Sequence, residues 1–173
     1  MFAVLWTTDT ATSSSEVAGM KVDIYSLDAI NELISDGFPD NTSLISFCSP
    51  RKLRKSDEVR ARVHSVCDSV FGVMIPDIDI ERLGDFGYTY DSYLSEADLL
   101  AEFIYEARDG GRNIICQCDY GQSRSAACAA AILEHFYGRG ITIFADYRYY
   151  PNQLVYNKIF DALEKYKEKQ GAQ

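Results

Sequence analysis

Residues 113–131 read NIICQCDYGQSRSAACAAA, from Asn113 to Ala131. Asn113 to Gln117 is an unbroken apolar-rich run with the length and β-branched content of a buried strand. A short polar loop containing Gly121 follows, and from Ser123 to Tyr137 an Ala-rich segment has helical character and stops at Gly138. The unit is strand, tight loop, helix. Upstream, the same alternation repeats. Val22 to Ser26 reads as a strand, Leu27 to Ile34 as a helix, and Ser43 to Cys48 as a buried strand closed by Pro50. Lys52 to Val66 reads as a helix and Ser69 to Ile75 as a strand. Asp91 to Arg108 carries Leu94, Ala97, Leu100, Ala101, Ile104 and Ala107 at helical spacing and ends before Gly110-Gly111. Downstream lie a short segment, Ile141 to Tyr147, and a helix opened by Pro151 with a stripe of Leu154, Val155, Ile159, Phe160 and Leu163.

Strands separated by helices of this length imply an α/β fold with parallel pairing and right-handed crossovers. The expectation is a single three-layer domain over residues 1–173, with a mostly parallel central sheet flanked by helices. Within it, residues 1–20 form a peripheral strand and mobile loop: a short apolar start, then the polar run Thr7 to Glu16. Ligands of such sheets bind beyond the carboxyl ends of the strands. The loop after Gln117 lies at such an end.

Composition narrows the partners. The chain has 17 Lys+Arg against 26 Asp+Glu, a formal net charge of −9, and 47% apolar residues. This is a globular balance, and its acidity opposes nucleic acid and anionic membrane surfaces, so neither is expected as a partner. The longest purely apolar stretch, Ala126 to Leu133, is far short of the roughly 20 residues that cross a bilayer. Five cysteines without paired metal-type spacing, all inside apolar segments, point to a reducing, cytoplasmic setting with no metal and no cofactor.

The loop itself, Cys118-Asp119-Tyr120-Gly121-Gln122-Ser123-Arg124 followed by Ser125, is built for a dianion. Successive N–H groups can converge as a nest, Gly121 permits a positive φ, and the helix that follows adds its positive end. A cysteine at the base of that nest has its thiolate stabilised and becomes a nucleophile. Arg124 supplies a planar fork that matches two phosphoryl oxygens. The bare spacing of cysteine, five residues, arginine also occurs at Cys48 to Arg54. There, however, glycine is absent and Pro50 has no N–H to donate.

The segment Asn113 to Ala131 resembles the phosphate loop of the cysteine-dependent protein tyrosine phosphatases, especially small dual-specificity-like members from bacteria and phages. Ser43 to Pro50, Val73 to Asp79 and Phe144 to Val155 are similar to the same group. The resemblance implies metal-independent hydrolysis of phosphomonoesters through a cysteinyl-phosphate, with a phosphorylated protein or another phosphomonoester as substrate. Cys118 is then the nucleophile. The loop 119–124 and Arg124 bind phosphate, and Ser125 is the hydroxyl that hydrogen-bonds the sulfur. The general acid in that family lies just past the strand before the long helix. Asp77 fits that place, with Asp79 as the alternative and Asp85 a third candidate in the same loop. Cys48 is either a buried apolar cysteine or a redox partner for Cys118.

One departure is Gln117, which stands where the family usually has histidine and brings no positive charge, though it can donate to loop carbonyls. Asp119 is a second feature: it would oppose a dianion if it faced inward. The alternative function is accordingly a weak or inactive phosphate-binding or phosphopeptide-binding module. The basic run Arg51 to Lys55 with Arg60 and Arg62 reads as a solvated face or as a flank of the pocket. His64 and His135 read as structural. Tyr147, Tyr149 and Tyr150 read as packing residues, or as a pocket rim for an aryl phosphate.

Overall fold

The computed structural model of the chain describes residues 19–50, 58, 62–67 and 69–172. Most of the expected N-terminal strand and loop, and the basic run at 51–55 and 60, lie outside these residues. The described chain begins at Gly19 and Met20, whose backbone N–H donates to the Tyr137 hydroxyl at 2.9 Å. It then runs through β1 (Val22–Ser26), α1 (Leu27–Asp36), β2 (Thr42–Cys48) and β3 (Val70–Met74). Two short 3-10 turns, Ile80–Arg82 and Gly84–Phe86, lead to α2 (Ala97–Asp109) and β4 (Asn113–Cys118). The chain ends with α3 (Arg124–Tyr137), the single turn α4 (Ile141–Phe144) and α5 (Gln153–Gly171).

The strands form one sheet in the order β1-β4-β2-β3, and every pairing is parallel. The fold is the expected α/β domain, with all four described strands parallel. β2 is central and buried at all seven positions, as a strand covered on both faces must be. Helices α2, α3 and α5 cover one face through Leu100, Ile104, Ala127, Ala131, Val155 and Ile159. Leu27, Ile30 and Val63 cover the other, with Leu44 and Ile115 of the sheet. α3 is buried without a break from Arg124 to Ile132, and its alanines let it lie close against the strands.

Because all strands run the same way, Ser26, Cys48, Met74 and Cys118 end at one edge of the sheet. That edge carries the candidate site. The helix expected from Asp91 starts later, at Ala97. Tyr93 and Leu94 both insert into the core, and Leu94 reaches it with φ 53°, a left-handed conformation no helix can contain. The apolar spacing before Ala97 therefore reports burial of a turn.

His135, in the last turn of α3, is structural as expected. Its side chain is almost fully buried, with Nδ1 2.6 Å from Glu164 Oε1 and Nε2 2.7 Å from the Tyr105 hydroxyl. His64, by contrast, is exposed. Burial lowers the pKa of His135 below its ordinary value, against the opposing pull of Glu164. Folding thus favours the neutral ring. Its contribution is complete above the unfolded value of about 6.5 and is lost as pH falls below it. His135→Gln is therefore expected to lower the unfolding midpoint more at about pH 7.5 than at about pH 5.5. Thermal melts of both proteins across that range check this, and a gap that widens toward acid contradicts it.

Candidate active site

β4 delivers Cys118, α3 begins at Arg124, and the five residues between them close the turn. Gly121 takes φ 69°, and a Cβ there would meet the Ser26 N and Tyr25 carbonyl carbon at 2.7 and 2.9 Å. Only glycine fits both demands. The loop is tied to its neighbours by main-chain bonds: Leu27 N to Asp119 O (3.3 Å), Tyr150 N to Gln122 O (2.9 Å) and Asn152 N to Ser123 O (3.4 Å). It is held by β1, α1 and the stretch before α5.

Cys118 is 2% exposed, and its Sγ lies 3.0 Å from the Ser125 Oγ. Arg124 is equally buried: Nη1 donates to the Ile75 carbonyl (2.8 Å) and Nη2 to Asp119 Oδ2 (2.7 Å). Its Nε faces Asp77 Oδ2 at 3.8 Å. The structure thus gathers Cys118, Arg124, Ser125 and Asp77 at one end of the sheet, with Cys48 at the end of the adjacent strand β2. Cys48 is buried, and its carbonyl accepts from Ile75 N at 3.1 Å.

Asp77 is fixed from three sides. Its Oδ1 accepts from Ser123 Oγ (2.8 Å) and Asn152 Nδ2 (2.9 Å), while the preceding carbonyl, of Pro76, accepts from the Tyr93 hydroxyl (2.8 Å). Burial and the nearby Asp77 charge push the Tyr93 phenol well above its ordinary value, which keeps it a donor. Ser123 occupies the N-cap position of α3 yet makes no cap bond; its hydroxyl turns to Asp77 instead. Asp79 precedes the first 3-10 turn, and Asp85 is drawn to Arg82 (2.8 Å) on the surface.

Gln117 is buried, and its Oε1 accepts from Ser46 Oγ at 2.7 Å, so the amide oxygen is bound by β2. Cys116 belongs to the core, where burial pushes its thiol well above the ordinary value. Tyr147 and Tyr150 are 88% and 72% exposed and do not pack, which corrects that expectation; Tyr149 is half-buried. Tyr120, in the loop itself, is 72% exposed. Arg62 reaches Asn31 Oδ1 at 2.8 Å, a surface contact. Asn152, Ser46, Ser49 and Tyr93 are the site-supporting residues that sequence reasoning missed. Among the described residues no three His, Cys, Asp or Glu side chains gather as a metal group, and no helix is long and apolar enough to cross a membrane.

No family model and no curated protein matches the sequence. Solved structures do match. The human tyrosine phosphatase-like serine/threonine/tyrosine-interacting protein aligns with TM-score 0.54 at 14% identity, over 89% of this chain and 94% of that one. The Cydia pomonella PTP-2 phosphatase aligns with TM-score 0.53 at 11% identity, over 82% and 84%. PTPMT1 in complex with PI(5)P aligns with TM-score 0.52 at 13% identity, over 87% and 94%. The chain has the protein tyrosine and dual-specificity phosphatase fold.

Proposed function

We propose that the chain is a metal-independent phosphomonoester hydrolase, a cysteine-based protein tyrosine or dual-specificity phosphatase. The observation that carries this reading is the 3.0 Å contact between Cys118 Sγ and Ser125 Oγ at the base of a loop whose Arg124 is buried. A hydroxyl so placed serves a sulfur that must leave again. The Cys118 thiolate attacks phosphorus, the bond to the leaving oxygen breaks, and Asp77 gives that oxygen its proton. Water then attacks the phosphocysteine and passes a proton to Asp77. The S–P bond breaks, and Ser125 donates to the departing thiolate. Arg124 and the loop N–H groups of 119–124 hold the equatorial oxygens through both steps.

Phosphorylated protein is the substrate class this reading favours, with other phosphomonoesters meeting the same loop. The cytoplasm is the setting, and Cys48 a candidate for reversible pairing with Cys118 under oxidation. The test is phosphate release from para-nitrophenyl phosphate with a chelator present. Turnover that the chelator spares supports the reading. Protein that binds tungstate but releases no phosphate between about pH 5 and 8 instead supports a phosphate-binding module.

The acid is tested in the same assay. Asp77→Asn keeps an oxygen to accept from Ser123 and Asn152 but has no proton to give. It is expected to lower kcat about 100-fold and to flatten the alkaline limb of the kcat profile. Asp79→Asn should leave that limb in place. If Asp79→Asn removes it and Asp77→Asn does not, the acid is Asp79.

A further inference from the structure

Asp119 directly follows the nucleophile, where an inward carboxylate shares the space of a bound dianion. Its side chain is nonetheless buried, 6% exposed. Oδ2 accepts from both Arg124 Nη2 (2.7 Å) and Ser49 Oγ (3.0 Å). Oδ1 is buried with no hydrogen-bond partner among the described residues, and Arg124 Nε is in the same condition. The guanidinium is therefore gripped at both ends: Nη1 by the Ile75 carbonyl beyond β3, Nη2 by the loop's own carboxylate. Of its five N–H donors, Nε–H, one on Nη1 and one on Nη2 remain, and Nε with Nη2 forms one edge of the plane. That edge is the one that matches two oxygens of a phosphoryl group.

We propose that Asp119, braced by Ser49 from the end of β2, is a positioning residue that sets the Arg124 fork for phosphoryl transfer, at the cost of weaker ground-state binding of dianions. The inference rests on the phosphatase reading above. With Asp77 3.8 Å from Nε as well, two carboxylates face this one guanidinium. An anion entering the loop meets a cation already neutralised, so affinity is low. In the transition state the fixed geometry of Arg124 matters more than its net charge. A merely structural Asp119 would affect binding and turnover in the same direction. A positioning Asp119 separates them.

The experiment uses the full chain and the variants Asp119→Asn, Asp119→Ala and Ser49→Ala, each checked by thermal melt. Tungstate affinity is measured by calorimetry and kcat with para-nitrophenyl phosphate. Asp119→Asn is expected to bind tungstate about 10-fold tighter, because one like charge is gone, and to turn over about 10-fold slower. Ser49→Ala should slow turnover about 3-fold with little change in affinity, since the charge stays. If Asp119→Ala does not fold, the asparagine variant decides. Asp119→Asn within twofold of wild type in both quantities, or weaker in both, overturns the proposal. If the wild type releases no phosphate, the phosphatase reading fails, and the tungstate arm still decides: tighter binding by Asp119→Asn supports the charge opposition, unchanged or weaker binding overturns it. A wild type that binds no tungstate overturns both.

Discussion

Cys118→Ser is expected to reduce phosphate release from para-nitrophenyl phosphate by about 10⁴-fold or more, since the proposed covalent step loses its nucleophile. Serine is nearly isosteric, and the Cys118 site is buried beside Ser125, so the fold should persist. A serine hydroxyl is a far weaker acid than a thiol and is not ionised near neutral pH, so it cannot stand in as the attacking group. Tungstate binding should survive, because in the proposed mechanism the loop and Arg124, not the sulfur, hold the oxygens. The pairing of lost turnover with retained binding separates a missing nucleophile from a collapsed loop. Phosphate release within tenfold of wild type would mean that Cys118 is not the nucleophile.

Arg124→Lys is expected to lower kcat by about 10³-fold, near the upper range for losing an oriented donor to a developing charge. Lysine keeps one positive charge but not the planar fork. It can also satisfy only some of the partners around it: the Ile75 carbonyl and Asp119 Oδ2 are both claimed by separate guanidinium nitrogens. The substitution therefore leaves a buried acceptor poorly paired, and a lower unfolding midpoint should accompany the loss of activity. The check is kcat beside a melting curve. If kcat falls less than tenfold, the fork is not what holds the transition state.

Much of this arrangement can be read in the chain before any coordinates. The alternation of apolar runs and amphipathic segments reports a covered parallel sheet, because only strands buried on both faces read like Ser43 to Cys48. The loop is legible because its residues are neighbours in sequence. Gly121, Arg124 and Ser125 have fixed offsets from Cys118, so their chemistry can be inferred together. Residues that meet the loop from afar are not legible in this way. Asn152 reaches Asp77 across 75 positions, and Ser46 reaches Gln117 across 71. Neither contact leaves a local trace.

Asp119 illustrates the same limit from the other side. Whether its carboxylate turns toward the anion or away depends on Arg124 and on Ser49, which the fold brings 70 positions to the loop. The sign of its effect is a tertiary property. Leu94 misleads for a related reason: its helical spacing with Ala97 and Ala101 reflects a shared buried face, while its own backbone turns left-handed. The exposed Tyr147 and Tyr150 show the converse, since aromatic residues before a helix carry no local sign of facing water.

In the proposed reaction phosphate passes through sulfur on Cys118. The most direct measurement is acid quench of the wild type within its first turnovers of para-nitrophenyl phosphate, followed by intact mass and peptide mapping. A fraction of the protein is expected to be heavier by one phosphoryl group, mapped to the peptide that holds Cys118 and absent from Cys118→Ser. Because water needs a base, Asp77→Asn should accumulate more of it. Turnover with no adduct in the wild type or in Asp77→Asn, or an adduct on another residue, would contradict it.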